Sequence, residues 1–162
     1  MAPALSFAPD LLLKAQGRGL GLKAALFDVD GVLTDGRIYV DDDGREFKAF
    51  SALDGVGLNL LRRANVTVAW ITGSAAPAVA HRARQLDIQY VILDAADKLA
   101  SWSALRADLG MAPEQCAHIG DDLPDLPLMR ACVLAATVPA GDRRSSARTW
   151  ASRTGNENGF VR

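Results

Sequence analysis

The sequence predicts an α/β fold in which helices cover both faces of a parallel sheet. Short apolar runs rich in β-branched residues alternate with stretches whose apolar residues recur at helical spacing. This order is typical of parallel sheets joined by right-handed crossovers. Acidic and hydroxyl residues also follow several of the predicted strands, at the carboxyl ends where open α/β sheets bind ligands. We therefore expect an enzyme-like α/β domain with its site at that edge.

The elements follow in a regular order. We expect residues 1–22 to form an N-terminal segment with a short helix at Pro9–Gln16, and residues 23–162 to form one domain. Helices are expected after residue 51, from near Ala75 to Leu86, and from Lys98 to about Leu109. The predicted sheet strands are Ala24–Asp28, Val66–Ile71, Tyr90–Leu93, Cys116–Ile119 and Cys132–Ala136.

A β-hairpin is predicted at about residues 37–50. Arg37–Val40 and Glu46–Phe50 alternate around an Asp-Asp-Asp-Gly turn at residues 41–44. The three acids resemble a metal-binding loop, but no bidentate glutamate follows at the right spacing, so we assign them no cation. A two-stranded ribbon is barely stable alone, and we expect this one to pack against another surface.

Composition limits the classes of function. The chain has 162 residues, 49% of them hydrophobic, which is enough for one domain with a sizeable core. Its net charge of −1 predicts binding to neither nucleic acid nor anionic membranes. Cys116 and Cys132 are predicted to be core thiols of a reducing compartment. Because no long hydrophobic run is present, we expect neither secretion nor membrane spanning, and a cytoplasmic location.

Asp28 and Asp30 are the first candidate site residues. In a strand, residues two apart point to the same side, so these carboxylates would crowd each other unless they shared a cation or a proton. Such a pair suggests a metal site. One carboxylate beside a divalent cation could attack phosphorus while the other protonates the leaving oxygen. A strand that ends in a polar turn is the alternative.

Three further groups stand where a phosphoryl-transfer site needs them. Thr72 and the backbone that follows suit phosphate oxygens, Lys98 could neutralise charge, and Asp121 is a third carboxylate for Mg²⁺. Each has another interpretation: a helix-capping threonine, a surface lysine, and acids that cap helices. Their common position after strands favours phosphoryl transfer. His81 and His118 have no partner at metal-ligand spacing, and we expect structural roles for both.

Four segments resemble the motifs of the haloacid dehalogenase superfamily: DVDGVLTDG at 28–36, ITG at 71–73, DK at 97–98 and GDDLPD at 120–125. Through DGVLTDG and the later FSALDGVG at 50–57, residues 22–162 resemble the phosphatases of 3-deoxy-D-manno-octulosonate 8-phosphate and their relatives acting on nine-carbon keto-deoxy sugar phosphates. The resemblance implies a three-layer Rossmann-like fold with strand order 5-4-1-2-3 and a small hairpin in place of a cap domain.

The resemblance also implies residue roles. Asp28 is the nucleophile, Asp30 the general acid and base, and Mg²⁺ is held by Asp28, Asp121 and the backbone carbonyl of Asp30. Thr72 and Lys98 complete the catalytic set. The implied substrate-binding residues are Ser51, Asp54, Gly55, Gly73, Ser74, Arg82 and Lys98, and the supporting residues are Asp122, Asp125 and Arg162.

The chain differs from this family because it lacks several positively charged residues. Leu53, Asn59 and Ser74 stand where basic residues are usual, and a keto-acid substrate has a carboxylate that would pair with them. The favoured function is octulosonate 8-phosphate hydrolysis in lipopolysaccharide synthesis. The alternatives are a phosphatase for another sugar phosphate, such as a nine-carbon 9-phosphate, and a catalytically idle oligomerisation module.

The family also implies assembly. Hairpins of four subunits form a small barrel in these proteins, and neighbours close each other's active sites. We therefore expect a homotetramer through residues 37–50, in which Arg162 could reach a neighbouring site. A monomer with an open site is the alternative.

Overall fold

A computed structural model of the protein describes residues 21–138. The expected helix at Pro9–Gln16 and Arg162 lie outside the described residues.

Five parallel strands form the central sheet: β1 (Ala24–Phe27), β4 (Thr67–Ile71), β5 (Tyr90–Ile92), β6 (Cys116–Ile119) and β7 (Leu134–Ala136). Their order is β5-β4-β1-β6-β7, with β1 in the centre. These numbers differ from the expected 5-4-1-2-3 because the hairpin supplies β2 (Tyr39–Val40) and β3 (Glu46–Phe47). When only the sheet strands are counted in chain order, the arrangement is 5-4-1-2-3 from the β7 edge.

Helices connect the strands: α1 (Ala52–Arg63), α2 (Pro77–Gln85), α3 (Lys98–Asp108) and α4 (Leu126–Ala131). Their starts follow from local chemistry. The Ser51 hydroxyl accepts a hydrogen bond from the backbone N–H of Leu53, and the Asp97 carboxylate accepts one from that of Ala100. The helix expected near Ala75 begins instead at Pro77, whose fixed φ suits the first helical turn.

The core has two halves, one on each face of the sheet. Alternate residues of β1 face opposite sides, so Phe27 packs with Trp70 and Val79 on one face, while Leu26 packs with Trp102 and Leu128 on the other. Helices therefore cover both faces, which confirms the predicted α/β layering.

Both cysteines are buried in the second half of this core. Neither Cys116 nor Cys132 forms a disulfide. Burial raises their thiol pKa values to about 11 and about 12, respectively, so both thiols stay protonated at neutral pH. The redox compartment of the protein stays a prediction.

Several predicted boundaries were wrong by a few residues. Strand β1 ends at Phe27 instead of Asp28, β4 begins at Thr67, β5 ends at Ile92, and β7 begins at Leu134. The first difference has a physical reason. The carbonyl of Val29 accepts hydrogen bonds from the N–H groups of Val32, Leu33 and Thr34, so the chain turns directly after the strand.

The hairpin is present but shorter than predicted, with β2 at Tyr39–Val40 and β3 at Glu46–Phe47. Tyr39 and Phe47 stack across it with ring centroids 5.3 Å apart. In the turn, the Asp41 carboxylate accepts hydrogen bonds from the backbone N–H groups of Asp43 and Arg45, which limits the length of the paired strands. The apolar side chains of Ile38, Val40 and Phe47 are exposed.

None of the helices in the described part of the chain has the length and apolar character that a bilayer-spanning segment needs.

The core predicts a stability difference between two matched substitutions. Leu26 is fully buried in the second half of the core, whereas Leu53 is 80% exposed on α1. We expect Leu26→Ala to lower the free energy of unfolding by about 2–5 kcal/mol, because it leaves a cavity between sheet and helices. Leu53→Ala should change it by less than about 0.5 kcal/mol. Urea unfolding followed by tryptophan fluorescence measures both, and equal losses would contradict the assigned burial.

Candidate active site

The predicted site residues lie at the carboxyl edge of the sheet. Phe27 at the end of β1 is paired with Trp70 on one side and Ile119 on the other. The chain therefore leaves β1, β4 and β6 at the same level, and the residues after these strands meet there. The backbone N–H of Asp28 still donates to the carbonyl of Ile119 at 2.9 Å, which fixes the start of the first loop.

A buried lysine joins two aspartates in this site. Lys98 Nζ lies 2.9 Å from Asp28 Oδ1 and 2.8 Å from Asp125 Oδ1, and all three side chains are buried. Asp28 Oδ1 also accepts a hydrogen bond of 2.7 Å from the N–H of Val29. Burial lowers the pKa of Lys98, but the charges of Asp28 and Asp125 outweigh it and raise the pKa overall. Lys98 is therefore a buried cation, and its interpretation as a surface lysine was wrong.

Asp125 organises the loop after β6. Its Oδ1 contacts His118 Nε2 at 3.0 Å in addition to Lys98, and its Oδ2 accepts hydrogen bonds from the N–H groups of Asp121 and Asp122. Burial raises the pKa of Asp125, but the hydrogen bond and charge of His118, with those of Lys98, bring it down to about 2. Asp125 is thus an ionised anchor with both oxygens occupied.

Asp28, Asp121 and Asp125 form a cluster in which one oxygen from each lies within 4.8 Å of the others. Asp121 approaches so closely that a Cβ at Gly31 would overlap its carboxylate, and Gly31 has a φ of +85° that favours glycine. Asp121 Oδ1 is buried and has no hydrogen-bond partner among the described residues. An unpartnered buried carboxylate oxygen is costly, and a cation would remove that cost.

Electrostatics in the cluster also favour a cation. Burial, and then the charge of Asp125, raise the pKa of Asp28 to about 7 in spite of Lys98. Burial and the neighbouring carboxylates raise the pKa of Asp121 as well. Hard oxygen ligands of this kind fit Mg²⁺. Asp28 and Asp121 are the residues that would hold it, because both oxygens of Asp125 already accept hydrogen bonds.

The Asp30 carboxylate does not crowd that of Asp28, contrary to the expectation from the sequence. The chain has turned after Asp28, and the Asp30 carboxylate lies outside the three-residue cluster. Its Oδ1 is 2.6 Å from Lys48 Nζ, and its Oδ2 is 3.5 Å from the Thr72 hydroxyl. The two acids of the first motif therefore have separate partners.

In the loop after β4, two side-chain hydroxyls accept hydrogen bonds from nearby backbone N–H groups. The buried Thr72 hydroxyl accepts a hydrogen bond from the N–H of Ser74, and the Ser74 hydroxyl accepts one from the N–H of Ala76. Gly73 is exposed, with open space where a Cβ would stand. Thr72 therefore supports the loop before α2 and also faces Asp30. Its interpretation as a helix cap was wrong, because the N-cap of α2 is Ala76 and no side chain caps that helix.

The other predicted substrate-binding residues lie where α1 meets α2. Ser51 and Asp54 occupy the start of α1, and Gly55 packs against Arg82 and Leu86. Arg82 contacts the carbonyl of Ser51 at 3.5 Å and Gln85 Oε1 at 3.2 Å. A cavity of about 470 Å³ beside them is lined by Lys48, Phe50, Pro77, Ala78, His81, Arg82, Arg84 and Gln85.

Asp122 lies at the rim of the site, where it caps the short 3-10 turn at Leu123–Asp125 through a 2.7 Å hydrogen bond from the N–H of Leu123. It does not belong to the three-carboxylate cluster.

Sequence reasoning missed two side chains that contact the site. Lys48 reaches Asp30 from the hairpin, and His118 supports Asp125 from inside β6. Glu46 and Lys48 are two residues apart, which indicates that they share a face of the hairpin strand, but no sequence signal places that face against Asp30.

No protein-family model matches the chain. Over 121 residues it is 40% identical to the 3-deoxy-D-manno-octulosonate 8-phosphate phosphatase of Yersinia pestis, an alignment that covers 75% of this chain and 65% of the relative.

Two solved structures of phosphatases with this name are similar. That from Moraxella catarrhalis, in complex with magnesium ion, phosphate ion and KDO, has a TM-score of 0.77 at 37% identity, covering 82% of this chain and 76% of that one. A cobalt-bound form from Haemophilus influenzae has a TM-score of 0.76 at 33% identity, covering 80% and 76%. The chain belongs to this family of the haloacid dehalogenase superfamily. It spans about two thirds of the length of the curated relatives it matches.

The three residues that stand where the resemblance implies basic side chains differ in exposure. Leu53 and Asn59 are exposed on α1, whereas Ser74 is half-buried and caps the loop before α2. Ser74 thus supports the backbone at a position where the resemblance implies a basic residue.

The raised pKa of Asp28 predicts pH-dependent metal binding. A carboxyl must lose its proton to bind Mg²⁺, and Asp28 holds its proton below a pKa of about 7. We expect Mg²⁺ affinity to fall about tenfold between pH 8 and pH 6, as one proton competes with the cation. Titration calorimetry at the two pH values measures this. Asp43→Asn, in the exposed hairpin turn, should keep the dependence, and an affinity that is flat over this range would contradict the assignment.

Proposed function

We propose that the protein is a Mg²⁺-dependent phosphomonoester hydrolase that acts on a sugar-acid phosphate through an aspartyl-phosphate. The observation that carries this proposal is the buried Lys98 between Asp28 and Asp125, beside the unpartnered oxygen of Asp121. A nucleophilic carboxylate, a fixed cation and an oxygen-rich metal position are the parts that phosphoryl transfer requires.

In the first step, an oxygen of Asp28 bonds to phosphorus as the bond from phosphorus to the sugar oxygen breaks. Lys98 Nζ and the Val29 N–H both contact Asp28 Oδ1, which orients the carboxylate for this attack. Asp30 gives its proton to the departing sugar oxygen. Thr72, Gly73 and Lys98 contact the phosphoryl oxygens. Asp28, Asp121 and the backbone carbonyl of Asp30 would hold Mg²⁺, which would supply positive charge against the phosphoryl group when bound.

In the second step, water attacks phosphorus and Asp30 takes its proton. The bond between phosphorus and Asp28 breaks, which releases inorganic phosphate and restores the carboxylate. Asp30 is suited to both proton transfers by its position, since its side chain is 37% exposed at the rim whereas that of Asp28 is buried. Asp125 acts indirectly, by orienting Lys98 and the backbone of Asp121.

The substrate is proposed to be 3-deoxy-D-manno-octulosonate 8-phosphate. Support comes from the name of the Yersinia pestis relative and from the Moraxella catarrhalis complex. Arg82 is a cation available for a substrate carboxylate. A different sugar phosphate, such as a nine-carbon keto-deoxy sugar 9-phosphate, is the second candidate, because Leu53, Asn59 and Ser74 replace basic residues.

A catalytically idle module is disfavoured by the cost of the site. Two buried carboxyls, a half-buried third one and a buried lysine are expensive to keep where no chemistry uses them. Ser51, Asp54 and Gly55 are further proposed to line the substrate position. Asp122 is proposed to support the metal site.

We also propose that the hairpin takes the place of a cap domain and joins four subunits in a single-domain, cytoplasmic enzyme. The exposed Ile38, Val40 and Phe47 support a contact through the hairpin. Between β1 and β4, the structure has only the hairpin and α1. Arg162 is proposed to reach a neighbouring site.

A phosphate-release screen of sugar and sugar-acid phosphates tests the activity. Hydrolysis should require Mg²⁺, and Asp28→Asn should reduce kcat by on the order of 10³-fold or more, because an amide cannot form the phosphoenzyme. Asp43→Asn, with a side chain 70% exposed, is the matched control and should leave kcat unchanged. Substantial turnover by Asp28→Asn would exclude the covalent route, and activity confined to phosphates without a carboxylate would exclude the proposed substrate.

The assembly has its own test. We expect light scattering to give the mass of four chains for the wild type, and Phe47→Asp to shift the protein toward smaller species by placing a charge in an apolar contact. Arg45→Asp, on the exposed turn of the same hairpin, is the control for added negative charge. A wild-type protein that stays monomeric at micromolar concentration would refute the tetramer.

A further inference from the structure

Lys48 is a covered cation at the base of the hairpin. Its side chain is only 2% exposed, and its Nζ lies 2.6 Å from Asp30 Oδ1 and 2.6 Å from Glu46 Oε1. Burial lowers the pKa of Lys48, but the hydrogen bonds and charges of Asp30 and Glu46 outweigh it and raise the pKa overall. The ammonium therefore stays charged, with Glu46 as its counter-ion when Asp30 carries a proton. Such close contacts are typical of charge-assisted hydrogen bonds.

Lys48 makes the short contact that fixes the Asp30 side chain. A second contact of the Asp30 carboxylate within residues 21–138, to the Thr72 hydroxyl, is 3.5 Å long and correspondingly weak. The side chain of Asp30 is 37% exposed, so packing restrains it little. Lys48 comes from a separate element 18 residues away, which means that the hairpin determines where this carboxylate points.

Glu46 in turn restrains Lys48. A lysine has four rotatable bonds and loses considerable entropy when it is held in one place. Glu46 is two residues before Lys48, and its carboxylate contacts the ammonium at 2.6 Å, the same distance as Asp30. The pair acts as one unit attached to the hairpin.

We propose that Lys48, held by Glu46, is a positioning residue that sets the Asp30 carboxyl at the leaving oxygen of the substrate. This inference rests on the proposed function, in which Asp30 gives a proton to the sugar oxygen and then takes one from water. Positioning of a proton donor matters because a displacement of about 1 Å costs on the order of 10²-fold in rate.

Two other roles for Lys48 make different predictions. A lysine that only tethers the hairpin would change stability while leaving the reaction of the folded enzyme intact. A lysine that binds a substrate anion directly, as its place on the wall of the cavity would allow, would change KM and would affect all phosphate esters.

The test compares two leaving groups in Lys48→Met. An alkyl phosphate needs a proton on its departing oxygen, whereas 2,4-dinitrophenyl phosphate releases a stable anion without one. With the Mg²⁺-loaded enzyme in excess, we expect the first turnover to slow by on the order of 10²-fold for the sugar-acid phosphate but by less than about threefold for the aryl ester. Steady-state turnover of the aryl ester by Lys48→Met should also fall, because Asp30 must still take the proton of the attacking water in the second step. Release of dinitrophenol should therefore show a burst.

Two further variants sharpen the comparison. Glu46→Gln should also slow the first turnover of the sugar-acid phosphate more than that of the aryl ester, but by a smaller factor. This substitution loosens Lys48 without removing the charge of the lysine. Arg45→Met is the matched control: it removes a cation from the same hairpin, its side chain is 77% exposed, and it should leave both first turnovers unchanged. Equal slowing of both esters by Lys48→Met, or a rise in KM with kcat unchanged, would overturn the inference.

A crystal structure of Lys48→Met gives a readout that does not depend on activity. The Asp30 carboxylate should leave its place beside Thr72, while Asp28 and Lys98 keep theirs. An unmoved Asp30 would overturn the inference even where the phosphatase activity is established. Conversely, a wild-type protein that hydrolyses no phosphate ester would refute the proposed function, and the displacement of Asp30 would still decide whether Lys48 positions it.

Discussion

The ammonium of Lys98 between Asp28 and Asp125 is the interaction on which the site depends. Three carboxyls converge at the edge of the sheet, and each is costly to bury without a partner of opposite charge. Lys98 neutralises part of that charge, but burial and the charge of Asp125 still raise the pKa of Asp28 to about 7. The remaining imbalance is what makes the site receptive to a divalent cation.

The backbone keeps this cluster compact. Glycine stands at the two positions where a side chain would enter it: a Cβ at Gly31 would overlap Asp121, and a Cβ at Gly120 would overlap Asp125. The loop after β6 is further closed by the two N–H groups that donate to Asp125 Oδ2. The acids are thus held close to one another by sterics and hydrogen bonds against their own repulsion, and such preorganisation is what electrostatic catalysis needs.

The sequence was sufficient for the sheet and for the position of the site, because period-two and helical patterns mark each layer and acids after strands mark the edge. It also led to Lys98, whereas the contact of Lys98 with Asp125 emerged only from the structure. It was insufficient where a contact depends on a turn or on packing between distant elements. The turn after Asp28 separates the Asp30 carboxylate from that of Asp28. Lys48 approaches from a hairpin, and the alternating pattern of that hairpin does not predict which of its faces contacts the site. His118 looked like an ordinary strand residue because its partner is fixed by the loop that follows.

The two acids of the first motif are held by different parts of the molecule. Asp28 is attached to the rigid sheet and to a lysine in the core, whereas Asp30 is held by a lysine on a two-stranded hairpin. A hairpin of this size is marginal by itself, and its apolar side chains are exposed. Any surface that covers Ile38, Val40 and Phe47 would order the hairpin, and through Lys48 it would also order Asp30. The nucleophile would then be independent of assembly, while the placement of the proton donor would depend on it.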